Sequence, residues 1–533
     1  MAVPAAASGS AAQPRYDCIV IGGGHNGLVC AATLARGGRS VLVLEAAAQV
    51  GGAASTREFA PGFRVSAGAH LLHLMPAQLL RDLQLPSHGL EWAASRLPTT
   101  ALGAAGACLD LGEAGAGSGL SAADAQAYSV YQARMRRFAA ALAPVLSRVP
   151  PRLGTADWAD RLALLRIGWQ VRKLGRRDMR ELLRIGGMNV FDLLEENFDS
   201  AALKGALAFD AILGANFGPR SPGTVLTLLY RLAAESAAGE AGLSQPKGGM
   251  GALCNALAQA AAAAGATLRT GAPVASILVE GDRAAGVVLE SGERIGGRTV
   301  ISSADPKTTF LRLLGARHLD AGFVRRVNHI RSRGLAAKLH LALNRTPVFS
   351  GVSALNLRGR LLVAPSLQHV EHAYNHAKYA EFSAAPVMEI TVPSVNDPTL
   401  APPGQHVLSA IVQYAPYALK EGWAAGRSRF LDTVLQTLEG YAPGIRGCVV
   451  GAELLTPPDM EQEFRINGGH WHHGDLAFDQ FLLVRPVPGA AQYRTPVEGL
   501  FLCGAGCHPG GGVMGIAGRN AAQQVLKMSS TSP

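Results

Sequence analysis

Residues 16–46 read YDCIVIGGGHNGLVCAATLARGGRSVLVLEA, and no other stretch limits the fold so sharply. The run CIVI, 18–21, is continuously apolar and ends in glycine, the pattern of a short strand buried on both faces of a parallel sheet. Residues 22–27, GGGHNG, then satisfy G-x-G-x-x-G; a helical pattern follows over 28–36, and a second apolar run, VLVL at 41–44, ends in Glu45. Gly22 permits the tight turn, Gly24 lets backbone approach a pyrophosphate, and Gly27 lets the helix lie close to the strand. The helix start, at His25 and Asn26, offers unbonded N–H groups and the positive end of the helix dipole. A carboxylate at Glu45 accepts hydrogen bonds from ribose hydroxyls and favours an unphosphorylated adenosine ribose, as in FAD or NAD, over NADP. The competing reading, a glycine turn between ordinary elements, explains neither the flanking elements nor the acid.

A second glycine-dense stretch, CGAGCHPGGGVMGIAGRN, lies at 503–520. Directly after Glu45 comes Gly51-Gly52-Ala53, and residues 246–306 read as a loop, an alanine-rich helix to Ala264, a short strand, and a hairpin with turns at Gly281-Asp282 and Ser291-Gly292. This arrangement resembles the flavin amine oxidase and phytoene desaturase superfamily, which places the second glycine pair over the flavin side of a dinucleotide. The resemblance implies an adenine contact from the backbone of Val274 and a C-terminal turn, Gly504-Ala505, passing the pyrophosphate and ribityl chain. It also implies a helix beginning near Val513 that points at the flavin, with Gly512, Val513 and Met514 against the ring. Two departures stand out: the arginine common after the glycine pair is Ala53, and the aspartate common in the last turn is Ala505.

The chain has 533 residues, too many for one ordinary core, so two or three domains are expected. Seven cysteines at 18, 30, 108, 254, 448, 503 and 507 form no CxxC, which suits free buried thiols. No apolar run is long enough to span a bilayer, and residues 1–13 read as a loose tail rather than a secretory signal. The net charge of +10 concentrates partly in 157–187, which carries eight Lys/Arg against four Asp/Glu interleaved with Leu, Ile and Trp. The first reading of this segment is a helix pair packed on the core with a charged outer face; the second is an amphipathic helix on an anionic membrane. Nucleic acid is not expected, because no recognition motif or aromatic platform accompanies the charge. His470, His472 and His473 lack a surrounding carboxylate cluster, so no metal site is expected. The segment reads instead as a cavity-lining loop with His473, Asp475 and Arg485 as catalytic candidates, and a histidine there suits proton transfer near neutrality.

YDCIVIGGGHNGLV, VGGAASTREFAPGF, KGGMGAL, VPSVNDPTLAPPGQHV, DQFLLVRPVP and FLCGAGCHPGGGVMGIAGRNAA follow one another in family order. On them the chain resembles the phytoene desaturase-like FAD oxidoreductases, and within them the pyridine nucleotide-disulphide oxidoreductase domain-containing group of animal mitochondria and bacteria. The resemblance implies an α/β protein: a glutathione-reductase-type Rossmann FAD-binding domain, with a parallel sheet and β-hairpin layer, plus a mixed-sheet and helical substrate domain. The FAD domain is expected from 14–80, 244–306 and 495–527, and the substrate domain from 81–243 and 307–494, with 121–235 helical. The expected activity is FAD-dependent hydride transfer between flavin N5 and a lipophilic polyene or acyl substrate held in an apolar tunnel, in either direction. A flavin-dependent isomerase and a flavin-binding regulatory protein are the alternatives. The electron acceptor, oxygen or a quinone, stays open, as do peripheral membrane contact and homo-oligomerisation. A cytoplasmic location is expected, or a mitochondrial one if the source is eukaryotic.

Overall fold

The computed structural model describes residues 16–111, 119–239 and 242–529; the stretch read as a tail lies outside them. Two seven-stranded sheets organise the chain. In the first, Tyr16–Ile21 is central, with Val41–Leu44 parallel on one side and Arg294–Ser302 parallel on the other. Thr267–Arg269 extends one edge and Leu500–Leu502, from the far end of the chain, extends the other. Every residue of Val41–Leu44 is buried, as is Cys18–Ile21, which is why both runs are apolar without alternation.

Beyond the turn at Ser291-Gly292, Arg294–Ser302 is one continuous strand. Its first three residues pair antiparallel with Arg283–Leu289, and the remainder runs parallel to Tyr16–Ile21. This one strand joins the hairpin layer, completed by Val274–Glu280, to the parallel sheet.

The second sheet is mixed, in the order Val449–Leu455, Ala336–Leu343, His406–Gln413, Val387–Thr391, Arg360–Val363, Thr99–Ala101 and Leu109–Asp110. Its two faces differ. Leu339, Leu341, Leu408, Ala410, Met388 and Ile390 pack into a core with Phe430, Val434 and Leu438 of the helix Trp423–Tyr441. The alternate residues Lys338, His340, Ser409, Ile411, Glu389 and Thr391 turn to the opposite face, as strand period demands. That face looks towards the first sheet.

Residues 122–238 supply the helical layer. Ser121 caps Ala122–Ser147 through Asp124 N at 3.1 Å, and Asp157 caps Trp158–Lys173 through Ala159 N at 2.9 Å. The basic segment is indeed two helices, Trp158–Lys173 and Gly175–Ile185, meeting at Leu174. Its outer face is not merely charged: Trp158, Leu165 and Trp169 are all more than 60% exposed.

Candidate functional site

One cavity of about 640 Å³ lies between the two sheets and touches both glycine loops. At one end, Gly22 turns at φ +94°, and its N–H is bonded to Leu44 O at 2.8 Å. The helix His25–Arg36 starts immediately, and no side chain caps its first turn. A Cβ on Gly27 would overlap the Gly22 carbonyl, so only glycine lets the helix sit this close to the strand. Gly24 differs: nothing lies within 4 Å of where its Cβ would stand. Glu45 is held by the loop itself, its Oε2 accepting from Gly23 N at 2.6 Å and its Oε1 from Ala47 N at 2.8 Å. The Gly51-Gly52 pair lies directly on the first loop, with Gly51 N bonded to Gly23 O at 2.9 Å.

Val274, Ala53, Ala505, Gly512 and Val513 line the same cavity. Gly27, Gly504 and Met514 stand behind its wall. A Cβ on Gly504 would overlap Ser303 O, so that glycine lets the C-terminal turn lie against the end of Arg294–Ser302. The last helix begins at Ile516, three residues later than the sequence suggests. Gly512, Val513 and Gly515 all have positive φ, so the loop continues to that point. Tyr230 pins it by donating to Gly511 O at 2.6 Å.

The three expected catalytic residues separate. His473 lines the cavity with Asp305, Arg485 and His470 as its charged or titratable neighbours, His25 of the first loop feels its charge, and burial lowers the pKa of both rings to about 4. His473 is therefore neutral at pH 7, which corrects the expectation of a group titrating near neutrality. Asp475 and Arg485 do not reach the cavity. Asp475 is buried and accepts from His470 Nε2 at 2.9 Å. Arg485, 2% exposed, donates to the carbonyls of His472, Gly474, Asp475, Gln480 and Ala505. It ties the histidine segment to the C-terminal glycine turn and holds the wall in place. Both neighbouring histidines lie against the C-terminal glycine loop: a Cβ on Gly511 would be 2.5 Å from His472 Nδ1, and one on Gly506 would be 3.4 Å from His473 Cβ.

The opposite wall holds what the sequence reading missed. His70 Nε2 lies 2.8 Å from Glu389 Oε1, and Lys338 Nζ lies 2.7 Å from His70 Nδ1. A carboxylate beside Nε2 and an amine beside Nδ1 assign the ring proton to Nε2. Arg360 bonds Glu389 and reaches Asp210 Oδ1 at 2.6 Å; Arg231 stands 3.6 Å from the same oxygen. His70, Glu389, Asp210 and Arg231 line the cavity, with Lys338 directly behind His70. Burial lowers Lys338 to about 7, opposed by Glu389, and Arg360 and His70 help keep the Glu389 carboxyl well below its ordinary range despite burial. The readable signal was Lys338 and His340, two polar residues spaced by two within the apolar run LAAKLHLAL at 335–343. Leu71, Leu74, Leu213, Ile411 and Trp471 make the rest of this wall apolar.

All seven cysteines are free; burial pushes the Cys18 and Cys254 thiols up to about 12 and Cys507 well above the usual range, and a hydrogen bond with Cys503, together with burial, raises Cys30 likewise. Protonated, buried thiols are poor nucleophiles.

A βαβ glycine loop, a carboxylate at the end of the next strand, an uncapped helix start and a second glycine loop around one cavity define a dinucleotide-binding flavoprotein. The model of the flavin containing amine oxidoreductase family matches residues 27–526, and the chain belongs to that family. Its cofactor is FAD, and it is an FAD-dependent oxidoreductase. The space at Gly24, the uncapped first turn, and the unpartnered buried His25 Nε2 and Asn26 Oδ1 fit that group. The mouse pyridine nucleotide-disulfide oxidoreductase domain-containing protein 2 is 37% identical, over 97% of this chain and 94% of its own. A phytoene desaturase (neurosporene-forming) of Cereibacter sphaeroides is 30% identical over 55% of each chain. A limonene dehydrogenase component of Castellaniella defragrans is 26% identical over 96% of this chain and 95% of its own. Among solved structures, a putrescine oxidase variant superposes with a TM-score of 0.63 at 16% identity, covering 97% of this chain and 99% of that one.

Proposed function

We propose that the protein is a dehydrogenase that removes hydride and a proton from adjacent carbons of a lipophilic substrate carrying a polar end. The observation that carries this reading is the Lys338–His70–Glu389 cluster on the wall of a cavity that also touches both glycine loops. Asp210, Arg231 and Glu389 are paired with one another or with neighbours, yet they give this stretch of the cavity wall a charged character that a purely hydrocarbon substrate would not use. An acyl substrate uses them, while Leu71, Leu74 and Ile411 enclose its chain. Limonene dehydrogenase and phytoene desaturase, by their names, act on lipophilic molecules, which supports the apolar part of the reading.

On this reading Gly22, Gly24, His25, Asn26 and Glu45 hold the adenosine and phosphates, with Val274 at the adenine. Gly51, Gly52, Ala53, Ala505, Gly512 and Val513 form the flavin side. FAD, when bound there, accepts the hydride of a substrate C–H bond. The protein's own part is positional and protonic. The two loops orient cofactor against substrate. The closed apolar wall excludes water. Forming a double bond releases one proton, which the Glu389 carboxylate on the cavity wall is placed to accept; His70 holds that carboxylate, and Lys338 Nζ behind the ring, with a pKa of about 7, sets the charge of the cluster. His473 keeps its place beside His25 at the phosphate end, and Asp475 and Arg485 act by positioning the wall.

The test is anaerobic mixing of the FAD-loaded protein with long-chain acyl and polyene substrates while following the visible flavin band. Bleaching with an acyl substrate, and recovery with oxygen or a quinone, is expected. Isomerised product with the flavin still oxidised would replace dehydrogenation by isomerisation. No bleaching with either class would remove the reading.

A further inference from the structure

We propose that the helix Trp158–Lys173 docks the protein on an anionic lipid bilayer, lying in the plane of the headgroups. No described helix is long and apolar enough to cross a membrane, so the contact is peripheral.

Three observations carry this. First, the helix is 16 residues, about 24 Å long, and Asp160 is its only buried residue. It is laid on the protein surface rather than packed into it. Second, its outward face is ordered. Trp158, Leu165 and Trp169 are 70%, 64% and 61% exposed. At 3.6 residues per turn they fall within an arc of about 40°. Arg161 and Arg172 flank this stripe on one side, Arg166 and Lys173 on the other, and all four are exposed. Two exposed tryptophans in line with a leucine cost free energy in water, and indole belongs at the boundary between headgroup and acyl chain.

Third, the charges are sorted. Arg152 holds Asp157 and Asp160, each at 2.7 Å, drawing both acids of the helix to its base. In the next helix Asp178 is held by Arg137 at 2.7 Å and Glu181 by Arg184 at 2.8 Å. Arg161, Arg166, Arg172, Lys173, Arg176, Arg177 and Arg180 have no carboxylate partner among the described residues. The surface offered to solvent is thus an aromatic stripe inside a field of unneutralised cations. A bilayer with acidic headgroups answers both features at once, whereas an apolar protein face would strand the cations and a polyanion would strand the indoles. The helix packs beside Ala122–Ser147, whose C-terminal end is bonded to the C-terminal glycine stretch through His508 Nε2 to Val145 O at 2.9 Å and to the last helix through Arg519 Nη2 to Ser147 O at 2.6 Å. Docking therefore orients the cofactor end of the molecule relative to the membrane.

The experiment is vesicle flotation of the FAD-loaded full chain, with light scattering on the free protein. Vesicles are phosphatidylcholine alone, or phosphatidylcholine with phosphatidylglycerol at about 7:3. Wild-type protein is expected to float with the anionic vesicles and not with the neutral ones. Raising salt from about 0.1 M to about 1 M, where screening shortens to ~3 Å, is expected to release it. Trp158→Ala/Trp169→Ala should weaken flotation about tenfold or more with flavin content and melting temperature unchanged, because neither side chain is buried. Arg161→Gln/Arg166→Gln/Arg172→Gln should abolish the preference for anionic vesicles. Failure of the wild type to float would overturn the proposal, as would flotation unchanged in both variants. So would a wild-type dimer that the tryptophan substitutions convert to monomer without any vesicle binding, since a second copy would then cover the stripe.

Discussion

Gly24 and Gly27 sit three residues apart in the same loop, yet an added methyl group meets different surroundings at each. Gly24 has φ −71° and ψ 168°, a conformation alanine adopts freely, and no protein atom lies within 4 Å of the new Cβ. The methyl group would project into the space where backbone approaches the pyrophosphate. At Gly27 the Cβ would overlap the Gly22 carbonyl and stand 3.3 Å from Ser303 Cβ, so the helix must move off the strand. Gly24→Ala is therefore expected to leave the melting temperature of FAD-free protein within about 2 °C of wild type. Overpacking against the phosphates costs about 1–3 kcal/mol, a loss of roughly 5- to 150-fold in FAD affinity. Gly27→Ala is expected to lower both, because its clash is with backbone whether or not FAD is present. The assay is fluorescence titration of the stripped protein with FAD beside thermal unfolding of the same sample. Wild-type FAD affinity in Gly24→Ala would refute the assignment of this loop to the pyrophosphate. Equal melting losses in the two variants would refute the distinction between an open cradle and a packed one.

Lys338→Met tests the amine that sets the charge behind the proton acceptor: substrate-dependent flavin reduction should fall about 10²-fold, and the wild-type change in rate through about pH 7 should vanish. The same variant checks the buried amine independently of activity. A lysine whose folded pKa lies below its ordinary 10.5 binds fewer protons folded than unfolded between about 7 and 10.5, so wild-type stability should gain with rising pH there, by at most about 5 kcal/mol, and Lys338→Met should lack that slope. Arg485→Met removes the donor shared by five buried carbonyls and should cost at least about 3 kcal/mol in chemical denaturation, with flavin loss preceding global unfolding because Ala505 is among the five. A small change in stability with full flavin retention would mean that the wall does not depend on this guanidinium.

The cofactor half of the protein was legible because its signals are local. Strand, glycine turn, helix and acid follow within 16–46, and each spacing is set by geometry over one or two turns of chain. The far glycine stretch lines the same cavity as the first loop, although its helix begins at Ile516 because Val513 and Gly515 take left-handed backbone that spacing does not reveal. The reacting end was not legible. Residues 268 to 319 apart in the chain, His70 with Lys338 and with Glu389, meet only because Ala336–Leu343 and Val387–Thr391 both pair with His406–Gln413 in a register that turns Lys338 and Glu389 to one face. Asp475 and Arg485 looked catalytic for the opposite reason: local polarity marks a buried segment but not which side of the wall it stands on. Composition exposed the basic helix, yet only packing decided that its tryptophans face outward. Periodicity is a property of one segment, and the sequence alone determines it. Which segments stand opposite one another is a property of sheet pairing, and that placed the chemistry.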